Sequence, residues 1–173
     1  LYKWLNGWMM GSDRGDHVRN TIGPLFTLLY RAMEKLPEVT GRCTRGIPVN
    51  GITSLQERYD NYEQAFAVGD FLSFWAFSSF TTKDEVAEGF AGDSSKPSIC
   101  YSCGKLTGVS MRPFAPTLLQ VEDEVLPLPP ATFVVQTVTK VNAANRIIVS
   151  VEQRDNYYDA YVVPSRPDPY DCS

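Results

Sequence analysis

Two glutamates separated by one residue, Glu122 and Glu124, form the most suggestive chemical grouping in the sequence. They lie directly before the run Val-Leu-Pro-Leu-Pro-Pro, and we interpret the segment as extended. Alternate side chains of an extended segment point to the same side, about 6 to 7 Å apart. At that separation one carboxylate can stabilise positive charge at a sugar carbon, while the other orients or deprotonates a nucleophile. The alternative is a solvated acidic corner at the start of a strand.

Other catalytic chemistries are restricted by the residue types present. The single histidine, His17, excludes multi-histidine zinc sites, and a Ser-His-Asp triad would depend on that residue. Cys100 and Cys103 have the spacing of half a zinc site, but in the strand expected there they point to opposite faces. We interpret these two, Cys43 and Cys172 as structural, with a disulfide or redox role as the alternatives. We therefore expect no metal cofactor.

The composition restricts the partners of the chain. Sixteen basic and twenty acidic residues give a net charge of −4, which argues against sequence-independent nucleic-acid binding. The apolar-leaning run 71–80 is far shorter than the roughly 20 residues of a membrane span. No Gly-x-Gly-x-x-Gly or P-loop pattern is present, so a nucleotide would have to be held in another way. We expect a monomeric catalytic domain over 1–163, cut from a longer protein, and a Pro-rich tail over 164–173.

The secondary structure predicted for the segments that must position these groups changes near residue 40. Before it, apolar residues recur at helical spacing, with Pro24 suited to the first turn and Pro37 closing the segment. After it the chain is richer in strands, which is an α+β arrangement, and Asn142-Ala-Ala-Asn145 predicts a hairpin turn. The predicted helices cover 21–36, 54–62 and 82–90, the last with a capping box; the predicted strands cover 42–47, 71–77 (buried), 98–105, 132–141, 146–152 and 157–163.

Three short motifs follow one another along the chain. They are Arg45-Gly46, Ser79-Phe-Thr81 and Glu122-Asp-Glu124, roughly 35 to 45 residues apart. In this order they resemble the Arg/Ser-x-Ser/Glu-x-Glu signature of the arginine-specific mono-ADP-ribosyltransferases, the branch of clostridial toxins and ecto-enzymes. The flanking Leu-Pro, Val-Ala and Val-Leu-Pro-Leu-Pro-Pro segments are also similar to that family. The resemblance extends over about 25–150, most of the chain.

Two departures from the family pattern bear on the site. The middle motif reads Ser-Phe-Thr rather than Ser-Thr-Ser, which changes the geometry of its hydroxyls. The loop after Phe90 also lacks an arginine that some members direct at the cofactor phosphates, and Lys96 is the candidate substitute.

The resemblance implies a fold in which N-terminal helices pack on two small, mostly antiparallel sheets that form a cleft for NAD⁺. Arg45 would hold a phosphate, with Gly46 beside the cofactor, and Ser79 would position the nicotinamide ribose. Phe90 would lie on the nicotinamide ring. Glu124 would bond the ribose hydroxyls and stabilise the oxocarbenium-like transition state. The alternatives are a surface arginine at Arg45, a capping hydroxyl at Ser79 and core packing at Phe90.

The resemblance also implies an acceptor. Glu122 would pair with an arginine guanidinium of a target protein and orient one nitrogen toward the anomeric carbon. Phe114, in the segment 112–117, is a candidate acceptor contact. Two other functions stay open, an NAD⁺ glycohydrolase that passes ADP-ribose to water and a non-catalytic binding module with the same fold.

Overall fold

The computed structural model describes residues 16–49, 53–74, 76–116 and 122–154. The helices in these ranges are α1 (Asp16–Met33), α2 (Thr53–Asp60), α3 (Tyr62–Ala65) and α4 (Asp84–Ala91). The strands are β1 (Glu38–Pro48), β2 (Phe71–Phe74), β3 (Phe80–Thr81), β4 (Ser98–Ser110), β5 (Glu124–Leu126), β6 (Ala131–Val141) and β7 (Arg146–Arg154). None of the helices described here is long and apolar enough to cross a bilayer.

The strands join in one hydrogen-bonded network in the order β1-β3-β5-β4-β7-β6-β2, and β1 also pairs with β4. The pairing of β4 with β7 is parallel and the other pairings are antiparallel. The predicted α+β class is confirmed. In place of two separate small sheets, the strands form one seven-stranded sheet, in which β1 pairs with β4 as well as with β3. The short strand β3 pairs with the middle of β1 at Thr44 and with β5, and β5 in turn pairs with the end of β4.

The N-terminal helix differs from its prediction at its start. It begins at Asp16 rather than near residue 21, so Pro24 lies inside the helix and not in its first turn. An interior proline costs about 3 kcal/mol through its missing N–H and its ring. Apolar packing supplies the opposing free energy, since Phe26, Leu29 and Met33 lie in a hydrophobic cluster with residues of the sheet. The cluster is completed by Leu36, Phe77, Val109, Met111, Leu126 and Leu128.

The aromatic segment 71–77 is predicted to be a buried strand; the strand is confirmed for Phe71–Phe74 only, and the prediction that it is buried is wrong. β2 spans four residues at the edge of the network, and Phe71 is 62 % exposed. The chain then leaves the strand, and Ala76 and Phe77 are buried outside regular structure. The aromatic residues of this segment contribute to core packing instead, since the Phe74 ring contacts the buried rings of Phe80 and Phe133 edge to face. This packing leads the chain to β3 and fixes where the middle motif lies.

The predicted hairpin is confirmed. β6 and β7 pair antiparallel around a 3₁₀ turn at Asn142–Ala144. Asn145 follows with φ 47°, in the left-handed region that asparagine adopts more readily than most residues. The Tyr59 hydroxyl donates to the Asn145 side-chain oxygen, and the Lys140 ammonium lies over the Tyr59 ring. These contacts dock α2 on the hairpin. The strand predicted over 157–163 and the tail over 164–173 lie outside the described residues.

The two core cysteines face each other across strands. Cys43 of β1 and Cys103 of β4 are register partners, both buried and both free thiols. Burial raises the pKa of the Cys43 thiol to about 11, so the neutral thiol predominates at physiological pH. Cys100, three residues before Cys103 on β4, is half-buried on the other face of the strand. Cys172 lies outside the described residues.

Candidate active site

A cavity of about 280 Å³ opens where β1, β3 and β5 meet helix α4. It gathers residues from all three sequence motifs, although these are far apart along the chain. Six of the seven site residues predicted from the sequence line it, namely Arg45, Gly46, Ser79, Phe90, Glu122 and Glu124. The remaining lining residues are Thr44, Phe80, Thr81, Val86 and Ala87.

Glu124 is fixed by strand pairing. Its register partner on β3 is Thr81, and Thr81 is in turn the partner of Thr44 on β1. Residues directly opposite on neighbouring antiparallel strands project to the same face. The Met111 amide donates to the Glu124 carbonyl oxygen at 3.0 Å, which secures the strand from its other side. The Glu124 carboxylate therefore projects from a hydrogen-bonded platform into the cavity.

The two glutamates reach the cavity by a route that differs from the expected one. The segment is not extended at its centre, because Asp123 has φ 48°, and β5 begins only at Glu124. Glu122 precedes this kink, and its carbonyl oxygen accepts a hydrogen bond from the Thr81 hydroxyl. The premise of alternate positions in an extended strand is wrong. Glu122 and Glu124 nevertheless line one cavity, brought there by a turn.

Arg45 connects the first two motifs. It lies half-buried on β1, and its guanidinium Nη1 donates to the Ser79 carbonyl oxygen. This bond uses one of the N–H donors of the guanidinium and orients the remaining donors along the cavity wall. Ser79 lies immediately before β3 and lines the cavity together with Arg45 and the two glutamates.

The threonine of the middle motif has a structural task. The Thr81 hydroxyl donates to the Glu122 carbonyl oxygen and accepts from the Lys83 amide at 3.1 Å. Thr81 is buried, with 5 % of its surface exposed. The departure from Ser-Thr-Ser therefore leaves Ser79 available to a ligand and uses Thr81 to secure the glutamate turn.

The capping box predicted before α4 does not form. Lys83 occupies the N-cap position and makes no side-chain capping bond. The Thr82 hydroxyl donates instead to the Asp123 carboxylate at 3.1 Å, 41 residues along the chain. Two acidic residues in the first turn, Asp84 and Glu85, still favour the helix start through the helix dipole.

Helix α4 contacts β1 backbone to backbone at Gly46. A Cβ atom on Gly46 would lie 1.9 Å from the Ala87 carbonyl oxygen, 2.7 Å from the Ala91 amide nitrogen and 2.9 Å from the Ala91 Cβ. Ala87 and Ala91 are themselves buried and small. The glycine of the first motif is therefore needed to bring α4, and with it Phe90, against the cavity.

We expect Gly46→Ala to destabilise the domain by about 1 to 3 kcal/mol, because helix α4 must move away from β1 to admit the methyl group. Gly104→Ala is the matched control, since a Cβ atom on that strand glycine meets nothing within 4 Å. Urea unfolding of the two variants measures the difference. Equal stability of both variants would contradict this account of the β1–α4 contact.

The two aromatic candidates lie in different places. Phe90 is 57 % exposed on α4 and lines the cavity, so it does not pack in the core. Phe114 is 68 % exposed in the turn 111–116 and is not among the cavity residues. Its ring is therefore accessible to a partner outside the cavity rather than to a ligand within it.

The sequence reasoning missed Thr44. This residue is 4 % exposed and lines the cavity, and its hydroxyl has no hydrogen-bond partner among the described residues. The available signal was its position two residues before Gly46 on the same strand, which places the Thr44 side chain on the face of β1 where Gly46 lacks one. Val86 and Ala87 were noted as motif flanks but not as lining residues. Among the described residues no group of three His, Cys, Asp or Glu is arranged to hold a metal ion.

No protein-family model matches the chain, and no curated protein sequence matches it. Solved structures do. The ADP-ribosyltransferase Vis from Vibrio splendidus, in complex with agmatine, is 22% identical with a TM-score of 0.66, over 89% of this chain and 68% of that one. HopU1 of Pseudomonas syringae pv. tomato, also an ADP-ribosyltransferase, is 17% identical with a TM-score of 0.63, over 88% and 65%. Exoenzyme S from Pseudomonas aeruginosa, with human 14-3-3 protein beta and carba-NAD, is 13% identical with a TM-score of 0.59, over 95% and 78%. The chain has the fold of these ADP-ribosyltransferases.

Proposed function

We propose that the chain is a mono-ADP-ribosyltransferase that moves ADP-ribose from NAD⁺ to an arginine side chain of a target protein and releases nicotinamide. One observation carries the proposal. In a chain with this fold, Arg45, Ser79, Glu122 and Glu124 converge on a single cavity although the motifs are distant in sequence. A cation, a hydroxyl and two carboxylates are the groups that this reaction needs.

The cofactor side of the cavity combines charge and an aromatic surface. Arg45 suits a phosphate of NAD⁺, since its planar fork can donate to two oxygens at once. The exposed ring of Phe90 provides a face for the nicotinamide, and Gly46 allows helix α4, which carries Phe90, to pack closely on β1. Ser79, which lines the same cavity, is the proposed partner of the nicotinamide ribose. NAD⁺ acts here as a co-substrate.

Glu124 is the proposed catalytic carboxylate. As the bond between the nicotinamide nitrogen and the ribose anomeric carbon breaks, its electron pair leaves with nicotinamide, and positive charge develops on the ribose. A fixed carboxylate beside that carbon stabilises the charge without reorganising. Strand pairing of Glu124 with Thr81 provides the required rigidity.

Glu122 is the proposed acceptor residue. Its carboxylate can pair with a guanidinium, hold one nitrogen toward the anomeric carbon and take the proton released when the new carbon–nitrogen bond forms. Agmatine, the ligand in the structure of Vis, carries a guanidinium group, which supports an acceptor of this class for the present fold. Phe114, exposed in the turn 111–116, is the proposed contact for the target protein outside the cavity.

The direct test supplies the domain with labelled NAD⁺ and agmatine, and records nicotinamide release and labelled agmatine in parallel. We expect both products, and labelling of arginines in a cell lysate mapped by mass spectrometry. Nicotinamide release with no labelled agmatine or arginine would indicate a glycohydrolase. Binding of NAD⁺ with no release would indicate a non-catalytic module, and absence of binding would refute the proposal.

Arg45→Ala should weaken NAD⁺ binding about 10- to 100-fold, because a hydrogen bond to a charged phosphate contributes about 1.5 to 3 kcal/mol. Arg42→Ala is the matched control, since Arg42 lies on the same strand but forms an exposed ion pair with Asp84 at 2.8 Å. Calorimetric titration with NAD⁺ distinguishes the two variants. Equal affinities would show that Arg45 supports the fold and not the cofactor.

A further inference from the structure

The residue between the two glutamates makes side-chain contacts of its own. The Asp123 carboxylate accepts a hydrogen bond from the Thr82 hydroxyl at 3.1 Å, and its other oxygen lies 3.9 Å from Arg112 Nη1. Thr82 lies just before helix α4, and Arg112 lies in the turn that follows β4. These three residues, named here the Asp123 clasp, hold the glutamate turn between two other parts of the fold.

The clasp supports an unusual backbone. Asp123 has φ 48°, in the left-handed region that side chains with a Cβ atom rarely adopt and that aspartate and asparagine tolerate best. Such a conformation persists where surrounding contacts determine it. The contacts to Thr82 and Arg112 are of this kind.

The glutamates on either side depend on the clasp to different degrees. Glu124 is held by the ladder to Thr81 and by the Met111 amide, which donates to its carbonyl oxygen. Glu122 lies before the strand, where the Thr81 hydroxyl bonds its carbonyl oxygen and the next residue is the clasped Asp123. Loss of the clasp should therefore alter the direction of Glu122 more than that of Glu124.

The clasp also reaches the turn 111–116, which carries Phe114, the proposed acceptor contact. Arg112 opens the turn 111–116, in which the Phe114 and Ala115 amides donate back to the Met111 carbonyl oxygen. The Phe114 ring is exposed two residues beyond Arg112. One ion pair thus connects this turn to the residue beside Glu122.

We propose that Asp123 is a positioning residue for the acceptor. Through Thr82 and Arg112 it holds Glu122 and the Phe114 turn in the arrangement that an arginine requires, and so sets how ADP-ribose is divided between arginine and water. This inference rests on the proposed transferase function. It assigns to the middle residue of the Glu-Asp-Glu motif a task separate from those of both glutamates.

Two substitutions separate the parts of the clasp. Asp123→Asn keeps the tolerance for left-handed backbone and an oxygen for Thr82, but it loses the charge that faces Arg112. Asp123→Gly keeps the backbone conformation at no steric cost and loses both contacts. We expect the ratio of agmatine labelling to NAD⁺ hydrolysis to fall about 3-fold for Asn and about 10-fold for Gly.

Arg112→Gln tests the other partner at an exposed position, where the fold should tolerate the change. It should lower the same ratio about 3-fold, and combination with Asp123→Asn should lower it no further, because both substitutions remove one ion pair. Thermal unfolding of all variants accompanies the kinetics, and hydrogen exchange of peptides that contain Glu122 reports the turn itself. Exchange should become faster in Asp123→Gly.

An unchanged ratio in Asp123→Gly would overturn the inference, and so would equal losses of transfer and hydrolysis, since these would place Asp123 in support of Glu124. Additive effects in the double variant would overturn the role of Arg112. A wild-type domain that cleaves no NAD⁺ would instead refute the proposed function. The exchange measurement would then decide whether the clasp orders the turn.

Discussion

Glu124→Gln is expected to reduce both ADP-ribosyl transfer and NAD⁺ hydrolysis about 10²- to 10³-fold while NAD⁺ affinity stays nearly unchanged. The amide matches the carboxylate in size but lacks the charge needed where positive charge develops in the transition state. An effect of this kind lowers kcat and leaves ground-state binding intact. Nicotinamide release, agmatine labelling and calorimetric affinity for NAD⁺ are measured on one preparation.

Glu88→Gln is the matched control for this substitution. Glu88 is an exposed glutamate on α4 that is not among the cavity residues, and its carboxylate lies 3.8 Å from Arg146. Like Glu124→Gln, this substitution removes one negative charge from the domain, but at a position outside the proposed active site. Turnover of Glu124→Gln within a few-fold of the Glu88→Gln value would refute the role of Glu124 in the transition state.

Local chemistry explains why some elements were predictable. The turn Asn142–Ala144 and the left-handed Asn145 depend on residues next to one another, so the β6–β7 hairpin follows from sequence. The gathering of the three motifs was predictable in another way, through their order and flanks. Periodicity alone would not have placed Arg45 and Ser79 beside two glutamates.

The errors occur where distant contacts decide the local structure. Asp123 adopts a left-handed conformation in the presence of Thr82 and Arg112, and neither neighbour is apparent from the Glu-Asp-Glu spacing. Thr82 is predicted to cap helix α4, but its hydroxyl donates a hydrogen bond to the Asp123 carboxylate instead. This tertiary contact overrides the local capping propensity. The aromatic run after residue 70 predicts a strand, yet its later residues fill the core outside regular structure.

These tertiary contacts also determine the geometry of the candidate active site. An extended Glu-x-Glu segment would present both carboxylates equally, as two neighbours on one strand face. The observed turn makes them unequal, with Glu124 on a paired strand and Glu122 on a kinked backbone before it. This asymmetry matches the proposed division between a rigid group for the ribose and a separate group for the acceptor.

Substitution of Glu122 tests that division directly. Glu122→Gln is expected to reduce labelling of agmatine about 10- to 100-fold, because the loss of a charged hydrogen-bond partner removes about 1.5 to 3 kcal/mol and the amide cannot take the guanidinium proton. Hydrolysis of NAD⁺ should persist within a few-fold, since water needs neither the ion pair nor this base. NAD⁺ affinity should match the wild type.

The two activities are measured side by side over a series of agmatine concentrations. In the wild type, agmatine should divert ADP-ribose from water, whereas in Glu122→Gln even saturating agmatine should leave hydrolysis as the main outcome. A glycohydrolase without a protein acceptor would show no such split, and its wild-type form would label no agmatine. If transfer and hydrolysis fall together in the variant, Glu122 belongs to the NAD⁺ site. The kink at Asp123 would then bring both carboxylates to the ribose, and the acceptor would have to be held by groups outside the cavity, such as the exposed Phe114 turn.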